Sequence, residues 1–243
     1  MREMIRNCQH YGQHCTLVET DAAGDPRYVT KKAMSREGAD ALEREHEGIN
    51  WYCRARGKED GYVVKKYVRR PSYCELSLSY VPGKTVPFSF GQRDLMKSVT
   101  IACMHYLDVF GSAGFKVSHG DFFVGNIIYD DEGVAWVMDW EHFNNTLPAG
   151  FDAVFCVVEP FLTAHGCGRP LGYPEAHRAR ELLSILSERT GIPGEASSSP
   201  AMWCRKITLE SRDVWGKQYS KLPQVAYGED ACISVDRSIG KDQ

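Results

Sequence analysis

The chain reads as an α+β protein of two lobes, a small strand-rich one around a single helix and a mainly helical one after it. Three observations predict this. Short strand-type runs crowd the first eighty positions, Val81-Pro82-Gly83 breaks the last of them, and helical periodicity dominates the remaining residues. The boundary implied is 1–83 for the first lobe and 84–243 for the second.

Each element is dictated by its residues. His14 to Thr20 and Arg27 to Ala33 are β-type runs, and the turn-forming Gly, Asp and Pro of residues 21–26 join them as a hairpin. From Ser35 to Arg56 the pattern becomes helical, with Leu42, Ile49 and Tyr52 at helical intervals. Tyr62 to Val68 and Tyr73 to Val81 then read as strands around Arg69-Arg70-Pro71-Ser72. In the second of them Cys74, Leu76, Leu78 and Tyr80 alternate with Tyr73, Glu75, Ser77 and Ser79, as a half-buried strand requires. Past the break, Leu95, Val99, Ala102, Tyr106 and Phe110 mark a long helix that stops near Gly111. Asn126 to Tyr129 and Ala135 to Met138 are apolar runs around Asp130-Asp131-Glu132-Gly133, a second hairpin. A further helix runs from Pro174, in the favoured first position, to about Thr190, with Gly191 as terminator. Gly194 to Pro200 reads as a Ser-rich loop, and Met202 to Leu222 as a last helix.

Composition excludes several classes. With 243 residues, 43% apolar, 25% charged and 11% aromatic, the chain is neither disordered nor collagenous. No stretch approaches the ~18 apolar residues of a membrane span, and the charged start lacks a signal-peptide core, so a soluble, cytoplasmic protein is expected. Nine cysteines without framework spacing imply reduced thiols. A net charge of −3 argues against general nucleic-acid binding. That charge is uneven: residues 1–80 carry fourteen Lys and Arg against twelve acids, whereas residues 116–200 carry five against twelve. The acidic second half suits a metal, a cationic ligand or a merely solvated surface.

The chemistry concentrates in His119-Gly120-Asp121-Phe122-Phe123-Val124-Gly125-Asn126, with Asp139-Trp140-Glu141 downstream. Two carboxylates and a carboxamide on a turn and a tight hairpin supply the hard oxygens that Mg²⁺ prefers, and a separate carboxylate can accept a proton from an attacking hydroxyl. This pattern resembles the catalytic core of the aminoglycoside phosphotransferase and choline kinase-like family, whose fold is that of the protein kinases. The resemblance runs from about residue 14 to about 160 and implies ATP and Mg²⁺ as cofactors and a small hydroxylated molecule as acceptor: an aminoglycoside, sugar or amino alcohol.

By that resemblance Asp121 is the catalytic base and His119 the residue bracing its loop. Asn126 and Asp139 are the Mg²⁺ ligands, Tyr80 and Val81 lie at the hinge whose backbone meets adenine, and Asp152 hydrogen-bonds the catalytic loop. The family also needs a strand Lys on the phosphates, held by a helical Glu. Strand alternation places Lys31 with Val29 and Ala33 and favours it over Lys32. Helical phase places Glu45 with Leu42, Ile49 and Tyr52, and favours it over Glu43.

Three departures bear on function. Only Gly12 precedes Gly24, so Gln9 to Gln13 would replace a glycine-rich phosphate loop, and a pseudokinase that binds a nucleotide or partner without turnover is the alternative reading. Phe123 stands where protein kinases carry a Lys, and the link from Asp139 to Asp152 is too short for a peptide-docking segment. The last two departures place a protein kinase third. Cys8, His10, His14 and Cys15 do not have a standard zinc spacing.

Overall fold

The structure is a computed structural model that describes residues 3–6, 14–57, 64–85, 92–144, 147–166, 172–200, 203–204 and 206–207. The segment 9–13, expected to stand in for a phosphate loop, and most of the helix expected over 202–222 lie outside the described residues, as do Cys8 and His10. The chain divides into two units, Met1–Pro82 with Asp139–Asn144, and Gly83–Met138 with Asn145–Gln243. This differs from a single cut after residue 83 by carrying Asp139–Asn144 into the first unit.

The first unit is built on a five-stranded antiparallel sheet of β1 (Glu3–Arg6), β2 (His14–Thr20), β3 (Pro26–Ala33), β4 (Val64–Arg70) and β5 (Tyr73–Ser79), in the order β1-β2-β3-β5-β4. The turn between β2 and β3 is held by Asp21, whose carboxylate accepts the amides of Ala23 and Asp25 and the Arg27 guanidinium. Helix α1 (Arg36–Ala55) starts where Ser35 Oγ accepts the Gly38 amide at 3.1 Å, a side-chain N-cap. Its apolar stripe buries Leu42, Ile49 and Tyr52, and Leu42 packs with Ala33, Ala39 and Cys74 against the sheet. The alternation along β5 holds for Cys74 and Leu76 and then changes. Ser77 is also buried, its hydroxyl 2.9 Å from Thr30 Oγ1, while Tyr80 at the strand's end is exposed.

Asp139–Asn144 packs on α1 as a 3-10 turn, Trp140–His142, with its flanks. Gly48 permits the approach: a Cβ there would stand 2.8 Å from Trp140 Cβ. Trp140 is fully buried against Tyr52 and Trp51.

The second unit carries a small sheet of β6 (Lys84–Thr85), β7 (Ile127–Asp130) and β8 (Gly133–Val137), with helices α2 (Gln92–Val109), α3 (Phe151–Gly166) and α4 (Tyr173–Thr190) packed on one another. Gly83 is required where it stands. Its φ is +143°, and a Cβ would lie 2.4 Å from Ile128 Cγ2. Gly191, at φ +66°, terminates α4 in the left-handed conformation expected of a C-terminal glycine. One expectation is corrected: Gly194–Ser198, read as a loop, forms a short helix, α5. Among the described residues no helix is long and apolar enough to cross a membrane. The class is α+β, as the sequence predicts.

Candidate active site

In the first unit, β3 and α1 bring Lys31 and Glu45 together. Lys31 Nζ donates to Glu45 Oε1 at 2.7 Å and Oε2 at 3.0 Å, and to Asp139 Oδ1 at 2.5 Å. The Lys31 and Glu45 side chains are 8% and 2% exposed, whereas Asp139 is 46% exposed, so this carboxylate is the part of the cluster open to solvent. Burial alone would lower the pKa of Lys31, but Asp139 and Glu45 outweigh it and raise that pKa, which keeps the ammonium charged. Two carboxylates around one ammonium leave an excess negative charge. Burial pushes Glu45 up to about 7 against the pull of Lys31, and the Asp139 charge adds to the rise.

Asp139 adopts φ +58° and ψ +58°, a left-handed conformation that Asp tolerates better than most residues. Arg44, on α1, donates from Nε to the Glu141 carbonyl at 2.7 Å and ties the turn after Asp139 to the helix. His142 is buried, which together with the Arg44 charge pulls its pKa down to about 4. At the end of β5, the Tyr80 amide donates to Arg27 O at 2.9 Å. Val81 is buried beside it in sequence. Lys32, on the other face of β3, takes no part in the cluster.

The second unit holds the loop His119–Asn126. Asp152, at the start of α3, accepts the His119 amide at 2.7 Å and the Gly120 amide at 2.9 Å. Full burial pushes its pKa up to about 6, against the pull of those amides. The His119 ring is completely buried. Its Nε2 lies 2.8 Å from Met138 O, which can only accept, and its Nδ1 lies 3.2 Å from the Asp121 amide, which can only donate. These partners fix the Nε2–H tautomer and thereby the ring's orientation. The Asn126 carboxamide donates from Nδ2 to Asp121 O at 3.0 Å and Asp121 Oδ2 at 2.9 Å. The Asp121 carboxylate is thus aimed by Asn126, and the Asn126 carbonyl oxygen is the end of that amide left to accept.

No protein-family model and no curated protein matches the chain. Solved structures do. The GDP complex of a point mutant of aminoglycoside 2'-phosphotransferase-IIIa superposes with a TM-score of 0.56 at 10% identity, over 94% of this chain and 91% of that one. The GDP and kanamycin complex of APH(2")-IIia superposes at 0.51 and 10% identity, over 94% and 93%. The chain has the fold of the aminoglycoside phosphotransferases. It is the kinase-like fold that the His-Gly-Asp and Asp-Trp-Glu residues point to.

In this phosphotransferase fold, each unit carries one part of the residue set picked out by the sequence. Lys31, Glu45 and Asp139 meet in the first; His119, Asp121, Asn126 and Asp152 meet in the second. Among the described residues no three His, Cys, Asp or Glu converge as a metal site. The donor chemistry within each unit still fits a hard cation such as Mg²⁺: the first holds the half-exposed Asp139 carboxylate and the second the Asn126 side-chain oxygen. Sequence reasoning missed Arg44 and Gly48. An arginine on a helix carries no signal of its carbonyl partner, but a glycine inside a helix does mark a close approach.

Proposed function

We propose that the chain is a phosphotransferase that moves the γ-phosphoryl group of ATP to a hydroxyl of a small molecule, an aminoglycoside, sugar or amino alcohol. The observation that carries this reading is Lys31, a buried ammonium held charged between Glu45 and Asp139. A cation held charged in a fixed place is preorganised for phosphate charge, to which Lys31 can turn the N–H that otherwise meets Asp139. GDP in the two structures of the same fold supports a nucleotide as the ligand, and kanamycin in one supports a hydroxylated acceptor.

In this reading residues 1–83 supply the nucleotide's contacts, with Lys31 on the phosphates and the backbone of Tyr80 and Val81 on the base. Residues 84–243 supply the catalytic loop. Asp121, aimed by Asn126, orients the acceptor hydroxyl and takes its proton, while His119 and Asp152 hold the loop in place. Asn126 and Asp139 would hold Mg²⁺, which supplies positive charge to the phosphates.

The test has two arms. Thermal shift with ATP and with GTP, with and without Mg²⁺, reads binding; transfer of labelled phosphate to a panel of aminoglycosides, amino alcohols and sugars reads turnover. Binding and transfer are expected, and Asp121→Asn should lower turnover by ~10² to 10⁴ while leaving the nucleotide shift nearly intact. Binding without transfer would make the chain a nucleotide-binding module. Neither would remove the reading altogether.

A further inference from the structure

Helix α1 carries Glu45 toward Lys31 on one face. At 3.6 residues per turn, Glu43, Glu47, Asn50 and Arg54 fall within about 40° of the opposite direction. Between that face, Tyr67 of β4 and Phe143, all within the first unit, lies a cavity of about 600 Å³. This size falls in the ~300 to 1,000 Å³ range of small-molecule sites.

Its walls are aromatic. The His46 and Tyr67 rings stack at 3.9 Å and 9°, and the Trp51 and Phe143 rings stand 6.1 Å apart. His46 adds no positive charge: burial lowers its pKa, and its Nε2 accepts from Asn50 Nδ2 at 3.0 Å. Two carboxylates share the wall. Glu43 lies 3.4 Å from Arg69 Nε, a contact it shares with Asp40, but Glu47 is exposed and makes no ion pair or side-chain hydrogen bond among the described residues. Arg54, the cation among the lining residues, sits seven positions from Glu47, ~10 Å along the helix. The end of the cavity that holds Glu43 and Glu47 therefore has more negative charge than partners for it, beside aromatic side chains of the kind that attract cations.

We propose that this cavity binds a small organic cation, its ammonium group at Glu47 and Glu43 and its apolar body among Trp51, Tyr67 and Phe143. Such a ligand bridges α1 and the segment after Asp139, the two elements that hold Glu45 and Asp139 on Lys31. The site is separate from the residues assigned to nucleotide and acceptor, so it stands whether or not the chain transfers phosphate.

Calorimetric titration of the full chain with phenethylamine, phenylacetate and benzyl alcohol at fixed ionic strength tests it. Saturable binding of the amine is expected, at least fivefold tighter than the other two, and weakened at least fivefold by Glu47→Gln and by Trp51→Ala. Glu47 is exposed, so its variant keeps the test sound if Trp51→Ala does not fold. No saturable amine binding, a preference for phenylacetate, or unchanged affinity in Glu47→Gln would overturn the proposal, the last by placing the amine elsewhere.

Discussion

Lys31 shows how a single side chain can be charged and buried at once. Its desolvation is offset by two carboxylates, and removing the ammonium would leave Glu45 and Asp139 facing each other uncompensated. In the proposed reaction, Lys31→Ala should therefore raise the Michaelis constant for nucleotide by about tenfold or more, since a charged hydrogen bond is worth ~1.5 to 3 kcal/mol, while Lys32→Ala should change it little. Steady-state kinetics on both variants checks the strand face; a silent Lys31→Ala would be incompatible with it. His142 sets a pH limit of its own. Its pKa falls from 6.5 to about 4 on folding, so between those values the unfolded chain binds more protons. The stability that His142 contributes is complete above the upper value and is lost as pH drops through the window, on the order of 2 kcal/mol by pH 5. Asp152, pushed up to about 6, works in the opposite sense, so the measurement is a difference. Urea midpoints at pH 7.5 and pH 5 should fall less with acid in His142→Gln than in the parent, and equal slopes would show that His142 does not remain neutral.

At the scale of elements, helix α1 and the turn after Asp139 behave as one piece because Gly48 lets them touch. Alanine there would gain about 1 kcal/mol of helix propensity. It would also put a Cβ 2.8 Å from Trp140 Cβ and 3.0 Å from Phe143 Cγ, and overpacking of that kind costs about 1 to 3 kcal/mol. Overpacking should win, so Gly48→Ala is expected to lower the thermal midpoint and, in the proposed function, to weaken nucleotide binding; a higher midpoint would mean that Trp140 yields. These contacts also mark where the sequence stops being readable. The β2–β3 hairpin and the facing of Lys31 and Glu45 were legible because each rests on a local period, two for the strand and 3.6 for the helix. The tie between Asp139 and Lys31 spans 108 positions, and no local period encodes it. Helix α3 had no periodicity to read: it is buried on every side from Phe151 to Phe161 and carries Pro160 inside. Strand β6, two residues long, exists only through its pairing with Tyr129 and Ile128. Gly194–Ser198 misled because Gly and Ser favour turns, although five residues suffice for a single helical turn.

Charge is the property of the whole molecule that bears most directly on the proposed acceptor. The chain as a whole is only −3, yet residues 116–200 hold an excess of seven acids, and four remain when Asp121, Asp139 and Glu141 are set aside. An acidic surface focuses a field that concentrates cations and repels anions, and salt screens it over a Debye length of about 10 Å at 0.1 M. In the proposed reaction a cationic acceptor should gain from that field during encounter, and a neutral sugar should not. The expected signature is kcat/KM for a polyamino sugar falling severalfold between 50 and 300 mM salt, while that for a neutral sugar changes less than about twofold. Sugar phosphates should be poor acceptors at every salt concentration. Transfer assays run across the salt series at fixed nucleotide and Mg²⁺ check this. Equal salt slopes for charged and neutral acceptors would show that the excess acids are only a solvated surface. A preference for sugar phosphates would reverse the sign of the field at the acceptor while leaving Lys31 and Asp121 in their proposed roles.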